Sequence, residues 1–117
     1  MSHAKEIKVK SVPIVLDKPR TLKFDLNAFI ELEDLYGSIE AALEAMQSGK
    51  NQIKAIRAVL WAGLLHEEET LTPKQVGAMI DLDKLEEVTH ALMEAIEGAM
   101  PPKDSVQPQG ASKGNPQ

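Results

Sequence analysis

Polar and apolar positions alternate in twos at the start of the chain, then recur at threes and fours for the remainder. The first pattern occupies residues 5–25. "EIKVK" alternates, and "VPIVLD" and "RTLKFD" flank "DKPR", in which Asp17 and Pro19 supply turn chemistry. The pattern predicts a β-hairpin, Val12 to Leu16 against Thr21 to Phe24. Pro13 has no backbone N–H, so it belongs on an edge or at a strand end.

From Asp25 the spacing becomes helical. In "DLNAFIELEDLYG", Asp25 is a candidate N-cap and Gly37 a stop. Leu26, Phe29, Ile30, Leu32, Leu35 and Tyr36 are expected to form one broad apolar face. "SIEAALEAMQSG" starts a second helix at Ser38, with Glu40 near its positive end, and Gly49 closes it. Ile39, Ala42, Leu43 and Met46 are its apolar stripe. A third helix is expected from about Asn51 to about His66. "TLTPKQVGAMID" opens a short fourth, with Thr72 as N-cap, Pro73 as the first helical residue and Gln75 completing a capping box. A fifth runs from about Asp83 to Ala99 on the stripe Leu85, Val88, Leu92, Ala95, Ile96 and Ala99. Pro101 and Pro102 end it.

The predicted fold is mainly α with a small N-terminal hairpin: a bundle of about five helices in a single domain over residues 1–100. The third helix is apolar on nearly every side, which places it at the centre. Leu60, Trp61, Leu64 and Leu65 are expected to be fully buried there, each contributing about 2 kcal/mol. Residues 101–117, "PPKDSVQPQGASKGNPQ", hold too few apolar side chains to offset the entropy of ordering and are expected to be disordered.

Composition narrows the function. The 117 residues include no cysteine, so disulfides and Cys-based zinc sites are excluded. Aromatics are 3%, which leaves the core to aliphatic, Ala and Met packing. The net charge of −5 is unevenly placed. Residues 1–24 carry six basic and two acidic residues; residues 25–100 carry five basic and fifteen acidic. An acidic helical body is a poor match for nucleic-acid phosphates, so no nucleic-acid partner is expected. No export signal is visible, and the apolar run Ala58 to Leu65 falls well short of the ~20 residues that span a bilayer. The expectation is a cytoplasmic protein with no membrane partner.

Candidate chemistry is sparse. "HEEET" resembles the zinc-protease pattern, but Thr70 stands where the second histidine is needed. Three acids at a helix C-terminus oppose the macrodipole, so Glu67, Glu68 and Glu69 predict that the third helix stops near His66 in a polar, frayed end. The carboxylates Glu31, Glu33, Asp34, Glu86 and Glu87 sit between apolar helix positions and read as solvent faces, not as acid–base pairs. No phosphate-cradling loop and no nucleophile pattern is present. The reading is a non-enzyme with no cofactor and no metal, acting by contact. Leu92, Met93, Ile96 and Met100 of the last helix read first as core, with part of that stripe open as a groove for a partner helix; the expected contact surfaces are those exposed parts and the basic hairpin, through Lys18, Arg20 and Lys23. Self-association through them is compatible with the sequence.

Two strings resemble a known family. Phe24-Asp25-Leu26-Asn27-Ala28 with Glu33 and Gly37, then Leu60-Trp61-Ala62-Gly63-Leu64-Leu65-His66-Glu67 followed by Leu71-Thr72 and Val76-Gly77, are similar to small tail-assembly proteins of the gene-transfer-agent tail family of phages. The resemblance covers about residues 20–100. It implies a tail-assembly chaperone that binds the tape-measure protein and helps recruit tail-tube protein. It carries no catalytic set. A structural tail-tube or tail-completion subunit is the alternative within that resemblance, although tube subunits are dominated by a β-sandwich. A cytoplasmic adaptor unrelated to phages is the alternative outside it.

Overall fold

The structure is a computed structural model that describes residues 11–100. β1 (Ser11–Val15) pairs antiparallel with β2 (Pro19–Lys23). Val12 lies opposite Leu22 and Ile14 opposite Arg20, and these four side chains are buried on one face. Successive side chains in a strand point to opposite faces, so the period of two carries Arg20 inward together with Leu22. Both strands start earlier than expected. Pro19 pairs with Val15 instead of sitting in the turn, and Pro13 faces out opposite Thr21. Among the described residues the sheet has two strands, each an edge, and edge strands tolerate proline. The alternating segment before Ser11 and the tail 101–117, expected to be disordered, lie outside the described residues.

Five α-helices follow: α1 (Leu26–Tyr36), α2 (Ile39–Gln47), α3 (Gln52–Leu64), α4 (Pro73–Gly77) and α5 (Leu85–Ala99). Three of the starts are legible in the sequence because the expected caps of α1, α2 and α4 form, whereas α3 and α5 begin without a side-chain cap. Asp25 Oδ1 accepts from the Ala28 N–H at 3.0 Å, and Ser38 Oγ accepts from the Ala41 N–H at 3.0 Å. Thr72 and Gln75 cap each other reciprocally at 2.9 and 3.2 Å. Each such bond satisfies a helix-end N–H that has no intrahelical partner. Gly37 ends α1 in the left-handed region at φ 89° and donates its N–H to the Glu33 carbonyl at 2.8 Å. α5 begins later than Asp83, because Leu82–Lys84 form a 3-10 turn leading into it.

α3 is the axis of the fold. It packs against α1, α2, α4, α5 and β2. Ala55, Ile56, Ala58, Val59, Leu60, Ala62, Gly63 and Leu64 are buried on it, and all but Ala58 and Gly63 join side chains of the hairpin and the other four helices in one core. Gly63 has a specific task there. A Cβ at this position would stand 2.8 Å from Phe24 Cζ and 3.0 Å from Phe24 Cε2. The missing side chain lets the fully buried Phe24 ring lie against the helix backbone.

Two expectations about burial are corrected. Trp61 and Leu65 are partly exposed: both pack against the rim of the core, and Leu65, just past the end of α3, borders an open cleft beside α1. The Trp61 indole N–H donates to the Leu71 carbonyl at 2.8 Å, so the ring works as a tether for that loop. In α1 the expected apolar face does not exist as one surface. Ala28 and Leu32 are buried, whereas Leu26, Ile30 and Leu35 are 75%, 45% and 53% exposed. Apolar residues cover more than half of this helix's circumference, opposite a polar face of Asn27, Glu31 and Asp34, and α2 and α3 cover only part of that arc. No helix among the described residues is long and apolar enough to cross a membrane.

Candidate partner-binding surface

The seven residues expected to form a contact surface divide sharply. Leu92 and Ile96 are fully buried in the core, on the side of α5 that meets α3 and the hairpin. They are excluded as surface contacts, since reaching them would require opening the fold. Met93 and Met100 are half-buried and pack against the rim of the core. Lys18 is exposed in the hairpin turn and Lys23 is partly buried at the end of β2. Arg20 is the largest correction: only 6% exposed, it is an internal cation and not part of an open basic surface.

Arg20 is held by the hairpin's own turn and by the acidic string after α3. Its Nε donates to Asp17 Oδ1 at 2.8 Å and its Nη2 to Asp17 Oδ2 at 3.0 Å, a two-pronged pairing that matches guanidinium to carboxylate. Its Nη1 lies 3.6 Å from Glu67 and 3.7 Å from Glu68. The same string grips the backbone of the next residue. The Thr21 N–H donates to Glu67 Oε2 at 2.9 Å, and His66 Nε2 donates to the Thr21 carbonyl at 2.7 Å. The segment "HEEE" is therefore not a frayed end. α3 stops at Leu64, and the following residues clip the hairpin to the end of the central helix. His66 and Glu67 are 45 and 46 residues from Thr21 in sequence.

The electrostatics of the clip follow from these contacts. The hydrogen bonds from Arg20 hold the Asp17 carboxyl below its ordinary value, with the guanidinium charge adding to the effect. The Asp17 bonds likewise raise Arg20, which keeps it charged. On the far side of the molecule, burial pushes the Tyr36 phenol up. Among the described residues, no group of three or more His, Cys, Asp or Glu side chains is placed to hold a metal ion.

The open surface offers clefts of another kind. One of about 510 Å³ lies between the start of α1 and the end of α3, where Ile30 and Leu65 meet Asp25, Glu31 and Glu69. A shallower one, also about 510 Å³, lies between β1 and α5, lined by Pro13, Glu86, Glu87, His90 and Glu94. A third region surrounds the first turns of α3, where α1, α4 and α5 converge on Ile53 and Arg57. Among the described residues six large apolar side chains are exposed: Val15, Leu26, Ile30, Leu35, Ile53 and Leu82. Only Val15 lies on the hairpin; the other five lie on or beside helices. These positions, and not the stripe of α5, are the large apolar side chains open to solvent among the described residues. Sequence reasoning missed them because their spacing is that of core positions. The signal that was present is the excess of apolar residues around α1 over what one buried face holds.

Comparison of the chain with protein-family models, with curated proteins and with solved structures found no match.

Proposed function

We propose that this protein is a phage tail-assembly chaperone that binds helical stretches of the tape-measure protein and assists tail-tube assembly. The observation that carries this reading is the set of exposed aliphatic side chains on and beside the helices, Leu26, Ile30, Leu35, Ile53 and Leu82, next to open clefts. A long helical client exposes apolar stripes before it is enclosed, and a small helical protein with such side chains can cover them reversibly. The two strings from Phe24 to Gly37 and from Leu60 to Gly77, which resemble the tail-assembly family, supply the identity of the client. The helical architecture favours a chaperone over a ring-forming tube subunit built on a β-sandwich.

The structural elements that carry the resemblance have plain physical tasks. Asp25 caps α1, Gly37 ends it, Gly63 seats Phe24, and Thr72 caps α4. These four positions are scaffold; of the exposed side chains that carry the reading, Leu26, Ile30 and Leu35 lie within the first string, Ile53 lies between the two strings and Leu82 lies outside them.

Co-expression with the tape-measure protein tests the reading. The expected result is a soluble complex that elutes together on size exclusion and is missing from purified particles by mass spectrometry. Many copies retained in particles would favour a structural tail subunit. No complex and no gain in client solubility would sink the chaperone reading and leave an adaptor of another kind.

A further inference from the structure

Three of the six exposed large apolar side chains converge on one place. Leu35 at the end of α1, Ile53 in the first turn of α3 and Leu82 in the turn before α5 are 53%, 57% and 72% exposed. They line three adjoining clefts. The one that holds Leu35 and Lys54 is about 280 Å³ and shares Arg57 with a pocket of about 120 Å³ that holds Ile53, Leu82 and Leu85. The third, about 430 Å³, shares Ile53 and Leu85 with that pocket. Together they form a groove with Arg57 in its floor.

Arg57 is set there with its charge unanswered. Its Nε is buried and has no hydrogen-bond partner among the described residues. Its stem is pressed by α4: a Cβ at Gly77 would stand 3.0 Å from Arg57 Cδ. Arg57 is half-buried and only its Nε is enclosed, so the Nη nitrogens face outward, and a carboxylate is the group that best matches a guanidinium. Asp81 lines the same pocket but forms no ion pair with Arg57. The cleft beside Leu35 has the matching sign: Lys54 and Arg57 line it and no acid does, whereas Asp81 and Glu86 line the other two. Residues 25–100 hold five cations, and three of them, Lys50, Lys54 and Arg57, stand at the start of α3 with no acid between Lys50 and His66.

We infer that this groove binds an amphipathic helix of another protein that carries a carboxylate within its aliphatic stripe. The carboxylate pairs with Arg57, and the flanking aliphatic side chains cover Leu35, Ile53 and Leu82. The walls are side chains of helices and offer no strand edge, so an incoming segment gains nothing by being extended. A helix presents anchors at i, i+3, i+4 and i+7, which suits a row of adjoining clefts. This assigns the client-binding site of the chaperone reading and rests on that reading for the client's identity alone.

A client-free probe tests the groove. The probe is a lactam-bridged helical peptide of about five turns, with leucines at i, i+4 and i+7 and a glutamate at i+3. It is titrated into the full chain while amide shifts are followed by NMR. The expected outcome is shifts confined to the residues around Ile53, Arg57, Gly77 and Leu82. Affinity should fall about tenfold or more when the peptide glutamate is replaced by lysine. Leu82→Ser and Ile53→Ser are exposed positions that leave the core intact, and each should weaken binding; Arg57→Gln should abolish the preference for glutamate over lysine. Shifts elsewhere, equal binding of the lysine peptide, or no binding at about 1 mM, the range of the weakest specific complexes, would overturn the proposal. So would a free protein that is already dimeric through this groove, since a second copy would then be its occupant. If the peptide occupies the groove but the tape-measure protein does not bind, the chaperone reading fails and the groove stands.

Discussion

Arg20 illustrates how residue type misleads when residue position is ignored. Its chemistry suggests a solvent-exposed basic hairpin, yet its register opposite Ile14 turns it inward. Once inside, it needs acids, and Asp17, Glu67 and Glu68 supply them. Removing one partner of such a set leaves the others uncompensated. Arg20→Ala should lower stability by about 2–3 kcal/mol, less than for a fully buried pair because Asp17 and Glu68 are close to half exposed. Urea unfolding followed by circular dichroism measures it; a loss below about 0.5 kcal/mol, typical of surface substitutions, would contradict the internal placement. Gly63 is the other decisive residue. Gly63→Ala adds only a methyl, but that methyl meets the Phe24 ring at 2.8 Å. The gain in helix propensity, about 1 kcal/mol, is outweighed by overpacking of about 1–3 kcal/mol at a rigid buried ring. A lower thermal midpoint for Gly63→Ala is therefore expected, and a higher one would show that Phe24 moves aside freely.

At the scale of elements, helix starts were more legible than helix faces. A cap is a local event: Asp25, Ser38 and Thr72 each reach an N–H three residues ahead, and no other part of the fold takes part. Thr72→Ala should cost about 1 kcal/mol by loss of the capping box. The effect should appear as faster amide exchange in α4, with α1 and α2 unaffected. The loop between α3 and α4 depends on a longer reach. Trp61, tied to the Leu71 carbonyl, should lose about 1 kcal/mol on replacement by Phe and about 3 kcal/mol on replacement by Ala. Chemical denaturation of both variants separates the hydrogen bond from the packing. A negligible cost for Trp61→Ala would mean that the tether is not needed. Which face of α1 is buried was not a local matter. Leu26, Ile30 and Leu35 have the same apolar character as Leu32, and only the positions of α2 and α3 leave them outside.

Among the described residues a central helix is wrapped by four others, with the hairpin fastened to its far end. That fastening gives stability a pH dependence. Asp17 is held below its ordinary value of 3.8 in the folded state. Its contribution is therefore complete above that value and is lost as pH falls through the lower folded value. Tyr36 works in the opposite direction, because its folded value lies above the ordinary 10.0. Its contribution is complete below pH 10.0 and is lost as pH rises through the folded value. Thermal midpoints measured across pH should fall at both ends. Replacing Asp17 by Asn should flatten the acid limb and leave the alkaline one in place. An unchanged acid limb in Asp17→Asn would assign acid sensitivity to other carboxylates.

The period of the apolar pattern, the caps and the stop glycine at Gly37 were sufficient by themselves to determine the hairpin, the five helices and the central place of α3. All of them act within a few residues of chain, where backbone geometry and side-chain reach are set by sequence neighbours. The acid clip on Arg20, the seating of Phe24 on Gly63, the exposure of Leu35, Ile53 and Leu82, and the setting of Arg57 in a groove floor were decided only by the tertiary structure. Each joins residues that are far apart along the chain or depends on what fails to cover a side chain. Periodicity carries no record of either, because an apolar residue at helical spacing looks the same whether a neighbour packs over it or solvent does.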